Sequence, residues 1–134
     1  HIEQAFSIAE LAVTAGASFV ARATVYHADL IDRLIKQAIT KQGFAVVEVI
    51  SNCHVQYGRR NKLGGAVEML TRFKEQSITV SQAAKMSPEE LEGKTTIGVL
   101  ADREIPISTE EYKKVSTEEY NKVRTRARKL KEKV

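Results

Sequence analysis

Apolar residues along this chain recur with two different periods, and each change of period marks an element boundary. Ser7-Ile8-Ala9-Glu10 has the form of a capping box, in which the hydroxyl and the carboxylate satisfy free backbone N–H groups at a helix start. Ile8, Leu11, Ala12 and Ala15 then fall on one helical face, and Gly16 stops the helix. Ser18 to Val25 is rich in residues that suit a strand. Over residues 29–41 the period returns to that of a helix: Leu30, Ile31, Leu34, Ile35, Ala38 and Ile39 form a stripe opposite Asp32, Arg33, Lys36, Gln37 and Lys41. Gly43 ends that helix, and Phe44 to Ile50 is an almost unbroken apolar run, the pattern of a parallel strand buried on both faces.

Strand, helix and strand joined by short glycine-marked connections predict a βαβ unit, with the strands over 19–25 and 44–50 parallel and adjacent. Beyond it the pattern weakens. Residues 51–62 read as a polar loop, and a helix resumes near Gly65 with Ala66, Met69, Leu70 and Phe73 at helical spacing. Ser87-Pro88-Glu89-Glu90 starts a short helix, closed by Gly93. Thr95 to Leu100 suits either a third strand or an extended arm. In the tail, Ser-Thr-Glu-Glu-Tyr occurs at 108–112 and again at 116–120, each copy opening like a capping box. The apolar phase slips between Val115 and Tyr120 and then runs through Val123, Ala127, Leu130 and Val134. This predicts a helical turn, a break at Ser116 and a terminal helix. Two copies do not make a solenoid.

The 134 residues suffice for one domain with a core, and 43% hydrophobic with 28% charged residues is the balance of a globular chain. No apolar run approaches the roughly 20 residues that cross a bilayer, and the first dozen residues have no basic region of a signal peptide, so no membrane partner is expected. One cysteine allows no internal disulfide and suits a reducing compartment, which makes the cytoplasm the expected location. The chain opens with His1 instead of Met, as a processed or excised piece would. Net charge is +4, and the excess is local: seven Lys and Arg lie between Lys122 and Lys133, opposed only by Glu132. With no aromatic platform interleaved, this run reads as a solvated helix face at a chain end and not as a nucleic-acid site.

Candidate chemistry concentrates in one place. Ligands of open α/β sheets bind beyond the carboxyl ends of the strands, and the segment just past Val49-Ile50 is Ser51-Asn52-Cys53-His54-Val55-Gln56-Tyr57-Gly58-Arg59-Arg60-Asn61. It brings together a thiol, an imidazole, a phenol and two guanidiniums. Composition alone also allows a polar surface loop with a semi-buried cysteine. Elsewhere, His27 could line the same cleft or simply enter a helix, Arg22 reads as a snorkelling or paired residue, and Met69 and Met86 read as core. Gly64-Gly65 ahead of a helix hints at an anion site, without either phosphate-loop fingerprint. Paired catalytic carboxylates, H-E-x-x-H and C-x-x-C are all absent, so the chain holds no self-contained catalytic constellation.

Ala12-Val13-Thr14-Ala15-Gly16-Ala17-Ser18-Phe19-Val20-Ala21-Arg22, a helix, and then Gly43 to Cys53 resemble the second half of the thiamin-diphosphate domain in β subunits of 2-oxoacid:ferredoxin oxidoreductases. Cys53 to Asn61 is similar to the 2-oxoglutarate branch in particular. The resemblance covers residues 1–75 well and 76–134, more loosely, as a C-terminal extension ending in a basic helix. It implies an α/β fold with a partial parallel sheet. It also implies part of an enzyme that converts a 2-oxoacid and coenzyme A to acyl-CoA and carbon dioxide, with thiamin diphosphate, Mg²⁺ and a [4Fe–4S] cluster as cofactors. Its partners would be the α subunit, ferredoxin and coenzyme A. The family's Gly-Asp-Gly motif and three of its cluster cysteines are absent from the sequence, so the resemblance implies that this piece alone is inactive. Cys53 matches the fourth cluster cysteine and is implied to be an iron ligand in the full protein. A sheet lacking its other half would present an unpaired edge and self-associate. Readings from other classes are a stand-alone α/β binding or regulatory module, or a flavodoxin-like or nucleotide-binding domain without a phosphate loop.

Overall fold

The structure, a computed structural model, describes residues 6–106 and 108–131. It divides into two compact units, 1–103 and 104–134, described separately below. The 75/76 division drawn from the resemblance concerns relatedness and not compactness.

The first unit is α/β, as expected. Strand β1 (Phe19–Thr24) pairs in parallel with β2 (Ala45–Ile50), in register from Phe19 opposite Ala45 to Thr24 opposite Ile50, and α2 (Ala28–Thr40) connects them. Gly43 makes the return possible. Its φ is +98°, and a Cβ there would lie 2.7 Å from Ser18 Oγ, which donates to the Phe44 carbonyl at 2.8 Å.

Two further strands come from the later sequence, so the sheet is mixed. β4 (Thr95–Asp102) runs antiparallel along the other side of β1, with a register shift at Val20/Ala21, and the three-residue β3 (Ser77–Thr79) lies parallel outside β4. The order is β2-β1-β4-β3, and two short helices, α4 (Val80–Ala83) and α5 (Pro88–Leu91), come between β3 and β4 in the chain. The segment at 95–100 is therefore a strand and not an arm. β3 was not foreseen, because three residues are too few to show a period.

β1 is the centre, buried along its length except at Arg22. Strand alternation sends Phe19, Ala21 and Ala23 to one face, against Leu34 of α2, and Val20 to the other, against Ala9 of α1 (Ile8–Thr14). Burying Phe19 and Val20 contributes roughly 1.5–3 kcal/mol each. Arg22, on the α1 face, is paired, one of the two readings its sequence position allowed: its Nε ion-pairs with Glu48 of β2, and its Nη2 donates to Ser7 Oγ at 2.8 Å. Ser7 also caps α1, accepting from the Glu10 N–H at 3.3 Å.

Several expectations are corrected. β2, read as buried on both faces, is an edge strand whose residues are only half-buried, with Val49 more exposed still; Phe44 just before it is 70% exposed. The α2 stripe is narrower than its sequence pattern, since Ile39 is 78% exposed and Ile35 also faces solvent. Met69 is core, but Met86 is only half-buried.

The second unit is α6 (Ser108–Lys131), one continuous helix; the expected break at Ser116 does not occur. A single serine lowers helix propensity by only about 0.5 kcal/mol, less than a broken turn would cost. The hydroxyl of Thr117 bonds back to the Lys113 carbonyl at 2.8 Å instead of capping a new helix. The end of the apolar phase at Val134 lies outside the described residues.

Candidate functional site at the end of β2

Past Ile50 the chain leaves the sheet, and residues 51–62 are more ordered than the polar loop expected. His54–Gly58 forms a π-turn, closed by the Gly58 N–H donating to the Cys53 carbonyl at 2.9 Å across five residues. The Leu63 N–H repeats that spacing to the Gly58 carbonyl at 2.9 Å, and Asn61 Nδ2 donates to the Tyr57 carbonyl at 2.9 Å. Gly58 is buried, and a Cβ on it would come within 2.8 Å of Met69 Sδ. A side chain there would have to displace Met69, so glycine lets the turn sit this close to α3 (Ala66–Gln76) without disturbing it.

Between strand end, turn and helix lies a cleft of about 550 Å³. Ile50, Leu63, Met69 and Phe73 supply its buried and half-buried apolar lining; Ser51, Cys53, Tyr57, Arg72 and Gln76 are its exposed residues. Cys53 is exposed and stands immediately before the π-turn. Backbone N–H groups of Tyr57, then Gln56, are directed at its sulfur and hold the thiol below its ordinary pKa; slight desolvation opposes them.

The other candidates separate from this cleft. His54 lies in the turn, and Arg59 and Arg60 follow it on the surface; none of the three lines the cleft. His27 is a helix-entry residue, preceding α2 with its Nδ1 2.9 Å from Thr24 Oγ1. The Gly64-Gly65 anion site is not supported, because Glu68 Oε2 accepts from the Gly65 N–H at 2.9 Å and occupies the helix start with the chain's own carboxylate.

Sequence reading did not single out Arg72, Phe73 and Gln76 as cleft residues. With Met69 they stand at i, i+3, i+4 and i+7, the signal of a helix face. That spacing cannot distinguish a face turned to a core from one turned to a cleft.

An iron–sulfur cluster needs several thiolates, and a loop thiol held toward its anionic form by backbone N–H groups suits one such ligand. The chain has no second cysteine, and among the described residues no three of His, Cys, Asp and Glu gather as a metal site. The fit is therefore of one ligand to a group that others must complete. No helix among the described residues is long and apolar enough to cross a membrane.

Fold and site together define an α/β sheet unit with a thiol-bearing cleft beyond the carboxyl end of a parallel strand. Comparison with known proteins gives the relationship. The chain is 41% identical over 105 residues to 2-oxoglutarate synthase subunit KorB of Methanothermobacter thermautotrophicus, covering 78% of this chain and 37% of that one. It is 42% identical over 105 residues to the subunit of the same name from Methanothermobacter marburgensis, with the same coverage. The match to the Methanocaldococcus jannaschii subunit is 41% over 114 residues, covering 85% of this chain and 42% of that one. The chain is thus a homologue of these proteins, each named 2-oxoglutarate synthase subunit KorB. It spans about two fifths of the length of these curated relatives. No protein-family profile matches the chain. No solved structure matches it either.

Proposed function

We propose that this chain is part of the β subunit of a 2-oxoglutarate:ferredoxin oxidoreductase, and that Cys53 supplies one thiolate to an iron–sulfur cluster in the complete protein. In the reaction a 2-oxoacid and coenzyme A give acyl-CoA, carbon dioxide and a proton, and the electron pair released passes singly to two oxidised ferredoxins. Thiamin diphosphate with Mg²⁺ supplies the electron sink for decarboxylation, and the cluster supplies one-electron transfer. The observation that carries the reading is the position of Cys53. It leaves the carboxyl end of β2 in a chain whose relatives are named 2-oxoglutarate synthase subunits, with backbone N–H groups stabilising its thiolate.

This chain's own contributions are local. The π-turn holds Cys53 at the edge of the cleft, over an apolar lining that includes Met69 and Phe73, and Arg72 lines the same cleft. The remaining ligands, and the groups holding thiamin diphosphate, belong to other parts of the subunit or to its α-subunit partner. On this reading the chain by itself turns nothing over.

The test uses the intact complex. It is expected to reduce ferredoxin with 2-oxoglutarate and coenzyme A and to prefer 2-oxoglutarate to pyruvate; a clear preference for pyruvate overturns the substrate branch. Cys53→Ala in that complex should lower iron content and abolish ferredoxin reduction while leaving thiamin diphosphate binding near its original level. Full iron content and an unchanged electron-transfer rate would remove Cys53 from the site.

A further inference from the structure

The chain on either side of Cys53 carries charge of one sign. From Val49 to Val67 it holds Arg59, Arg60 and Lys62, together with His54, and no Asp or Glu. The carboxylates that bound this stretch are committed: Glu48 pairs with Arg22, and Glu68 accepts from the Gly65 N–H. Arg59, Arg60 and Lys62 are exposed, and their side chains form no ion pair with any described residue. Other cations of the same unit do find partners, Lys36 with Asp32 and Lys41 with Asp102.

Hydrogen bonds hold these cations close to the thiol. The Gly58 N–H donates to the Cys53 carbonyl at 2.9 Å, and Arg59 follows one Cα step of about 3.8 Å later. The Asn61 N–H returns to the Tyr57 carbonyl at 3.1 Å, and the Lys62 N–H to the Arg59 carbonyl at 3.3 Å. Two apolar side chains of the same segment are exposed, Val55 at 52% and Tyr57 at 60%, and Tyr57 also borders the Cys53 cleft. Exposed Tyr and Arg with an apolar neighbour and no acids make the composition of a protein-docking patch. A phosphate fits less well. The N–H groups of Gly58, Asn61, Lys62 and Leu63 are all used inside the turn, so none of the four can cradle one.

We propose that this turn, through Tyr57, Arg59, Arg60 and Lys62, docks an acidic face of the protein that takes electrons from the cluster. The proposal rests on the reading of Cys53 as a cluster ligand. Each turnover releases two electrons singly, so an acceptor must arrive, take one and leave, twice. Attraction between exposed charges raises the encounter rate without tight burial, which suits such traffic. Its reach is the Debye length, about 8 Å at physiological salt, so docking through this turn is sensitive to ionic strength.

The test uses the intact complex with 2-oxoglutarate, coenzyme A and either of two acceptors: an acidic ferredoxin, or methyl viologen, a small cation that needs no basic dock. Arg59→Glu, Arg60→Glu and Lys62→Glu together should raise the KM for ferredoxin about tenfold or more. Methyl viologen reduction and iron content should stay at their wild-type levels. The wild-type ferredoxin rate should fall as ionic strength rises from about 0.01 to 0.15 M, and the variant's should hardly respond. Arg59→Lys with Arg60→Lys keeps the charge and should retain most of the wild-type KM. An unchanged KM and salt response overturns the proposal. So does an equal loss with both acceptors, which would place the turn against the rest of the enzyme. A KM rise confined to coenzyme A also overturns it and would make the turn a phosphate site. A wild-type complex that reduces neither acceptor would sink the enzyme reading itself, and the docking proposal with it.

Discussion

Cys53 shows how far a single residue can be argued. Its place after an apolar strand was legible, because the strand is a pattern and the cysteine is its punctuation. Its electrostatics were not, since they depend on the amides of Tyr57 and Gln56 converging on the sulfur in a π-turn that has no sequence period. Those amides favour the thiolate, so the folded-state pKa lies below the unfolded one. The stability this contributes is complete above the ordinary thiol range and is lost as pH falls through the lowered value. Iodoacetamide alkylation of the folded chain should accordingly show a midpoint at lower pH than alkylation of the urea-unfolded chain. Identical midpoints would mean that the amides do not hold the sulfur. Arg22 offers a second test. Glu48→Gln keeps the shape and removes the charge beside a largely buried guanidinium; it should cost about 1–2 kcal/mol of stability by urea denaturation, discounted for the partial exposure of both side chains. A midpoint unchanged from wild type would show the pair to be inconsequential.

At the scale of elements, legibility tracked length and period. The helices over Ile8–Thr14 and Ala28–Thr40 and the parallel pair they serve were readable, because each repeats its pattern several times. β3 was too short to read. The continuity of α6 was misjudged because a capping sequence within a helix resembles one at its start. The burial of β2 was misjudged for a different reason: an apolar run records what a strand would bury in company and carries no information on which neighbours are present. As an edge strand, β2 leaves backbone N–H and C=O groups unpaired by any described strand. The chain should therefore associate through β2. Sedimentation should show mass rising with concentration, and a monomer at every concentration would mean that the edge is protected.

At the scale of the molecule, β1 stands between a partner close in sequence and a partner far away. Its parallel neighbour follows one helix later, but Phe19 also pairs with Asp102 and Arg22 with Gly98, across most of the first unit. This raises the contact order: the chain must close a long loop, at an entropic cost, before the central strand has both neighbours. Folding should proceed in unequal stages, with helical signal appearing before the sheet is complete, and stopped-flow circular dichroism at helix- and sheet-weighted wavelengths would separate the two. It also means that β1, the most buried strand, is finished only when Thr95–Asp102 docks, so the cleft residues at the end of β2 depend for their rigidity on a segment that does not itself line the cleft. During synthesis everything from Phe19 to Asp102 would have to emerge before that scaffold could set, which leaves the nascent β1–α2–β2 unit as the species that chaperones would meet.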